Sequence, residues 1–179
     1  GTTLDVASTS TIGADITTSG TQTYTGAVTL SSGTRTLTTT DSNITFGSTL
    51  DSDAALTPRA LTLSMGTGTV QFNGVVGGTY ALGAISITGN LDLNAAILNG
   101  ASSAGAASIS VSGTSDLGAN VTTSGNQTYT GAVTLSTSNT LTTTSNGTIS
   151  FGSTVDGSGA GKTLTINTNG TGNTTFSNA

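Results

Sequence analysis

The side chains that most enzymes rely on are missing from these 179 residues, which contain no His, no Cys and no Glu. Without imidazole or thiolate, the Ser-His-Asp and Cys-His arrangements and the soft metal sites are excluded. Carboxylate remains for acid–base work, and all eight acidic residues are Asp. The closest pair, Asp51 and Asp53, has the residue type that paired-carboxylate chemistry needs. A solvated turn is the simpler expectation there, and across the repeat described below Asp51 matches Asp156 whereas Asp53 falls on Ser158. The pair is therefore not repeated. Calcium is a further possibility for these Asp residues, but the GGxGxD rhythm of calcium-binding β-rolls is absent. Arg35, Arg59 and Lys162 are scattered and do not build the basic side of a polysaccharide-cleaving groove. The expectation is no enzyme: no catalytic residue, no cofactor and no metal ligand.

Three weaker patterns remain. Tyr24, Tyr80 and Tyr129 each stand two or three residues before a Gly (Gly26, Gly83, Gly131) that opens an apolar run. Glycine there suits a positive φ at a corner. The Tyr would stack on its counterpart or lie at the corner with its hydroxyl in water, where carbohydrate contact is the sharper reading. Asn-x-Thr occurs at Asn43, Asn120, Asn126, Asn146, Asn169 and Asn173 and fits a glycan acceptor, although a chain so rich in both residues produces several by chance. Thr36-Leu37-Thr38 and Thr142-Thr143-Thr144 resemble the flat Thr arrays of ice-binding solenoids. That function needs the motif on successive coils, and it is prominent only once per long period. The ordinary reading is that Thr is a good strand residue that water tolerates.

Three basic against eight acidic residues leave a net charge of −5, the opposite of a nucleic-acid or anionic-membrane binder. No nucleic-acid partner and no membrane insertion are expected, since no run of 18 apolar residues exists. Gly1–Ser10 is not a basic-then-apolar signal, so an exported protein would carry its targeting segment outside this chain. Absence of Cys leaves the redox compartment undetermined. Polar low-complexity chains are often disordered. Against disorder stand the β-branched pattern, a mean hydropathy of +0.11 and a single Pro, Pro58.

These residues belong to elements that must be short strands. The stretch Thr17–Ser31, TTSGTQTYTGAVTLS, returns as Thr122–Ser136 with one change, Thr21 to Asn126, so the chain has a long period of about 105 residues. Alternating apolar residues restart at Leu4, Val28, Leu61, Ile85, Ile109, Val133 and Leu164. The intervals predict coils of about 24 residues, with a longer coil of 31–33 once per long period and four coils to the period. Extra residues near Asp51–Ala55, and their counterpart at Asp156–Gly161, are expected as outward loops, and Gly100–Ala107 as a tight corner of small residues. A unit this short buries its apolar face only by stacking on neighbours. The prediction is an all-β, right-handed parallel β-helix: one β-solenoid over 1–179, with a super-repeat at 4–108 and an incomplete copy at 109–179. Inward Asn, Ser and Thr would form ladders between coils. Immunoglobulin-like sandwiches of about 105 residues are the competing architecture, disfavoured by the short restart and the lack of Trp.

Val121–Leu135 (VTTSGNQTYTGAVTL), Thr148–Gly157 (TISFGSTVDG), Asn73–Thr79 (NGVVGGT) and Ile85–Gly89 (ISITG) resemble the repeat regions of very large bacterial surface exoproteins of the filamentous-haemagglutinin type. The resemblance covers the whole chain. It implies a secreted or cell-surface β-helical fibre serving adhesion, biofilm cohesion or display of a distal domain, often exported by a two-partner route. It brings no functional residues with it. The expected function is a non-catalytic structural shaft segment of a longer protein. Self-assembly through open solenoid ends is one alternative, and a glycan- or protein-binding module using the outward loops is another. The expected partners are neighbouring repeats of the same chain, other copies end to end, or host or bacterial surface glycans.

Overall fold

The computed structural model describes residues 1–98 and 106–178. Within them the chain is all-β and contains no helix. It winds as a parallel β-solenoid of about 8 turns, each about 22 residues from the next. Of the corner expected at Gly100–Ala107, residues 100–105 lie outside the described residues.

Three faces make each turn. The first stacks Leu4–Val6, Gln22–Tyr24, Ile44–Phe46, the end of the strand Leu61–Phe72, the end of Ala84–Leu93, Ser115–Leu117, Val133–Leu135 and Val155–Gly157. The second stacks Ser10–Ile12, Val28–Leu30 and Leu50–Ser52, passes through single bridges at Val76 and Ile97, and resumes at Val121–Thr123, Asn139–Thr143 and Leu164–Thr168. The third stacks Ile16–Thr17, Arg35–Thr38, the beginnings of Leu61–Phe72 and Ala84–Leu93, then Ser108–Val111, Gln127–Tyr129, Ile149–Phe151 and Thr174–Phe176. Every pairing is parallel, which rules out the antiparallel sandwich.

The period-two pattern explains the strands. In Val28–Leu30 and Ile44–Phe46 the two outer residues are buried and the Thr between them is not. Each inward residue then meets its equivalent on the next coil: Leu61, Ile85 and Ile109 stack on the third face, and Leu63, Ile87 and Val111 stack beside them. All six are at most 2% exposed. At about 1.5–3 kcal/mol for each fully buried aliphatic side chain, this core is the main source of stability. Aromatic residues stack in two short columns. Tyr24, Phe46 and Phe72 run along the first face with ring centroids 5.3 and 5.4 Å apart. Tyr129, Phe151 and Phe176 run along the third at 5.6 and 4.9 Å.

The coil lengths require a correction. From Gln22 the chain returns to the first face at Ile44, Val70, Leu91 and Ser115, then crosses the second face at Val121 and reaches Gln127 on the third. One 105-residue period is therefore four turns and two further faces, not four coils. The apolar restarts at Leu61, Ile85 and Ile109 do lie one above another. By contrast, Leu4 to Val28, Val28 to Leu61 and Ile109 to Val133 each overshoot a full turn by one face. Within each copy the turns keep their lengths, 18 residues from Leu4 to Gln22 and 22 to Ile44, then 18 from Ile109 to Gln127 and 22 to Ile149. Corresponding strands of the two copies look in different directions, one third of a turn apart.

The glycines ahead of the apolar runs have a different purpose from the one expected. Gly26, Gly83 and Gly131 are not among the residues of positive φ. A Cβ on Gly26 would overlap the Ser8 carbonyl of the coil beside it, and one on Gly131 would overlap the Gly113 carbonyl. Close approach of stacked backbones excludes a side chain at these corners.

Candidate functional site

Buried polar groups are the first place to look for chemistry. Gln22 is wholly buried; its Nε2 donates to the Thr38 carbonyl (3.0 Å), the Thr18 Oγ1 (3.3 Å) and the Ile16 carbonyl (3.4 Å). Its Oε1 accepts from the Tyr24 hydroxyl at 3.0 Å, and Thr18 closes the corner by donating to the Gly20 carbonyl at 2.7 Å. The second copy reproduces every bond. Gln127 Nε2 donates to the Thr142 carbonyl (2.9 Å), Thr123 Oγ1 (3.2 Å) and the Val121 carbonyl (3.3 Å), and its Oε1 accepts from Tyr129 at 3.2 Å. Thr123 donates to the Gly125 carbonyl at 2.7 Å. Thr-x-Gly-x-Gln-x-Tyr is thus a satisfied internal corner. Burial pushes the Tyr24 phenol up to about 12 and raises that of Tyr129 as well. With both hydroxyls inside, Tyr24 and Tyr129 are unavailable to a carbohydrate, contrary to the sharper expectation. Tyr80, 38% exposed, is the one tyrosine at the surface.

The inward hydroxyls do not form ladders. Thr123 stacks on Thr143, and Thr143 on Thr168, but Thr143 Oγ1 donates to Gly147 O (2.9 Å) and Thr168 Oγ1 to Gly172 O (3.2 Å), each within its own coil.

Asp51 and Asp53 do not act as a pair. Asp51 faces outward from its strand and accepts the Thr79 N–H at 2.8 Å and the Tyr80 N–H at 3.3 Å. Asp53 begins an outward loop and holds Arg59 through two bonds of 2.6 and 3.2 Å, which keeps its carboxyl below the usual range. Arg35 grips the corner carbonyls of Gly13 (2.9 Å) and Ser32 (2.6 Å). Asn-x-Thr has a structural role at four sites. Asn43, Asn120, Asn126 and Asn146 each present Oδ1 to a backbone N–H of the following coil, those of Thr69, Thr140, Thr148 and Thr171, at 2.8–2.9 Å. Asp15, Asp41 and Asn90 do the same for Thr36, Thr67 and Thr114 at 2.9 Å. A backbone N–H stranded at a corner is costly, and a short Asx side chain one coil away satisfies it.

The outward surfaces differ by face, a feature missed at the level of sequence. Along the first face the middle residue of each strand gives one column: Asp5, Thr23, Thr45, Gln71, Asp92, Asp116, Thr134 and Asp156. Half of the eight Asp stand in it. Its members are tied together: Thr45 donates to Gln71 (3.2 Å), Gln71 and Asn94 donate to Asp92 (2.9 and 3.0 Å), and Ser136 donates to Asp116. An open trough of about 330 Å³ runs beside Asp92 and Asp116. Among the described residues no cluster of three His, Cys, Asp or Glu gathers that would hold a metal ion.

The third face is neutral. Its outward column reads Thr36, Thr62, Ser86, Ser110, Thr128, Ser150 and Thr175 on successive coils. Two residues further along the chain stand Thr38, Ser64 and Thr88, within their strands, and Ser112, Thr130, Gly152 and Ser177, each one residue past its strand's end. The hydroxyl-x-hydroxyl motif therefore recurs on six of seven consecutive coils, where the sequence displays it prominently once per long period. The second face carries the irregular corner: Leu56 (86% exposed), Tyr80 and Leu98 stand at the surface on neighbouring coils, following Ser52, Val76 and Ile97.

No protein-family model, no curated protein and no solved structure matches this chain.

Proposed function

We propose that the chain is a non-catalytic shaft segment of a secreted or cell-surface bacterial fibre, in which rigidity and length are the function. The observation that carries this reading is continuity: one hydrophobic core runs from Ile12 to Phe151 through every intervening coil. Each coil is paired to the next on its faces, and the corners are stapled by Asx side chains. A stack of this kind has no hinge between domains to bend at. With strands spaced about 4.8 Å, about 8 turns extend for about 38 Å, and each 105-residue period adds about 22 Å. Asp15, Asp41, Asp51, Asp53, Arg35 and Arg59 are spent on corners and loops, and Asp92 and Asp116 on bonds along the first face, in keeping with a scaffold role. Among the described residues no helix is long and apolar enough to cross a membrane. The bacterial and surface-exposed setting rests on the resemblance of the repeats alone.

Electron microscopy of the purified chain over a range of concentrations tests the reading. Short single rods, lengthened by about 22 Å for every added 105-residue copy, are the expected result. Beaded globules or flexible coils would sink it, and long filaments growing with concentration would move the function to self-assembly. A binding module is the second reading, favoured by Leu56, Tyr80 and Leu98 on one corner. A glycan array with no hits counts against its carbohydrate form.

A further inference from the structure

The third face combines three properties that the other two faces do not share among the described residues. It is periodic in two directions: hydroxyls follow one another at about 4.8 Å along the rod, and at about 6.7 Å along the chain where both ranks lie within one strand, at Thr36 and Thr38, Thr62 and Ser64, and Ser86 and Thr88. It is uncharged, since neither of its two ranks contains Asp, Arg or Lys. Its first rank is also unengaged. Among the described residues the hydroxyls from Thr36 through Thr62, Ser86, Ser110, Thr128 and Ser150 to Thr175 make no bond to another protein group. In the second rank only Ser112 is engaged, accepting the Gly89 N–H at 3.2 Å. The first face is the internal control, because its outward column is tied from Thr45 through Gln71 to Asp92 by side-chain bonds, its Asp116 is held by Ser136, and it carries four carboxylates.

We propose that the third face is an ice-binding surface, its double rank of Thr and Ser hydroxyls holding a layer of water in the positions of an ice crystal plane. The occupant follows from the chemistry. A charged ligand has no counter-charge to meet on this face. A sugar polymer has no outward aromatic ring to stack on: Tyr129 and Phe151 are wholly buried, and Phe176, 49% exposed on the last coil, lies in register with the inward Phe151. A net of water molecules needs donors and acceptors at fixed two-way spacing, free of competing internal bonds, and a hydroxyl offers both. The two repeats are close to those between water oxygens on a prism face of hexagonal ice. Packing below the face supplies rigidity: Leu63, Ile87, Val111 and Tyr129 alternate with the hydroxyls and lock the strands, so the net is ordered before ice arrives. Each contact is weak, and about a dozen made together are not.

The test uses the whole 179-residue chain. Cooled with seed crystals, it is expected to shape growing ice, to show thermal hysteresis and to slow recrystallisation in frozen sucrose. Thr62→Lys together with Ser110→Lys should abolish all three, while Thr23→Lys together with Thr134→Lys on the first face should leave them unchanged, with circular dichroism checking that each variant is folded. Should the third-face lysines unfold the chain, Ser86→Thr with Ser110→Thr decides the matter, since completing the Thr net should raise the hysteresis. Unmodified ice growth in the presence of the parent chain overturns the proposal, as does hysteresis that survives folded third-face lysines or that the added Thr residues leave unchanged.

Discussion

Thr18–Tyr24 and Thr123–Tyr129 are nearly the same seven residues, yet they sit on different walls of the rod. Gln22 and Tyr24 belong to the first face, with half-buried Leu4 and Val6 on one side and Ile44 and Phe46 on the other. Gln127 and Tyr129 belong to the third, between Ile109 and Val111 and Ile149 and Phe151. Every hydrogen bond is nevertheless kept. The corner is a self-contained device that needs only a coil to stack on, and it takes any wall on which the residue count deposits it. The same holds at Asp41 and Asn146, which share a positive φ (48° and 58°) and present Oδ1 to the N–H of Thr67 and Thr171 at 2.9 Å.

The strongest way to break the equivalence is to push the coils apart. Gly131→Ala should cost about 3 kcal/mol in denaturant unfolding, because its Cβ meets the Gly113 backbone and both coils are pinned on each side. Gly26→Ala, against the outermost coil, should cost less. Equal costs would mean that the first coil is as constrained as the middle ones. Next, Gln127→Leu leaves the Tyr129 hydroxyl without its acceptor and removes a donor from Thr123 Oγ1 and the Val121 and Thr142 carbonyls, a loss of about 2 kcal/mol. Gln22→Leu is expected to lose somewhat less, because Leu4 below it is only half-buried.

The buried phenols supply a pH readout. Their folded pKa is raised, so the stabilisation is complete below the ordinary tyrosine value near 10 and drains away as pH rises through about 12 for Tyr24. Chemical denaturation repeated from pH 8 upward should show a falling midpoint above pH 10, and Tyr24→Phe should blunt the fall. A smaller effect has the opposite sign. Ser10 and Ser115 are counterparts whose inward hydroxyls find no partner. Ser115 stands between Leu91 and Val133, so Ser115→Val should stabilise by about 1 kcal/mol, with less gain at Ser10→Val in the outermost coil, where Val28 is a neighbour on one side only. Smallest of all, Asp41→Asn imports the residue that the second copy already uses, and its unfolding free energy at pH 7, from chemical denaturation, should stay within about 0.5 kcal/mol of the parent. Because the Thr67 N–H and hydroxyl lower the Asp41 pKa, the parent alone should lose this contribution as the carboxyl protonates on acidification.

Much of the architecture was legible in the residues. Alternation around Val28, Leu61, Ile85 and Ile109 pointed to parallel stacking and a solenoid, whereas the loops expected at Asp51–Ala55 and Asp156–Gly161 begin two residues later, at Asp53 and Ser158, because Leu50–Ser52 and Val155–Gly157 are strands. The assignment of strands to walls was not legible, for a physical reason. Inward positions at Gln22, Ser115 and Gln127 are polar, so the strands that contain them read as returns between coils, and each omission shifts the count by one wall. The neutral hydroxyl face was hidden in a similar way, because Ser86, Ser110 and Ser150 stand where a Thr motif would be sought. Glycine was ambiguous from the start, since a corner that needs positive φ and a coil that needs close approach call for the same residue.

A repeat that advances by four turns and two walls behaves as a vernier. Copies set in series would point in three successive bearings, and the original bearing would recur only after three copies and fourteen turns. Weak places, such as the bridged middle of the second wall at Val76 and Ile97, would then wind around the axis instead of lining up along one side. A long array of this kind would have no preferred direction of buckling, and its flexural stiffness would be nearly the same whichever way the load fell.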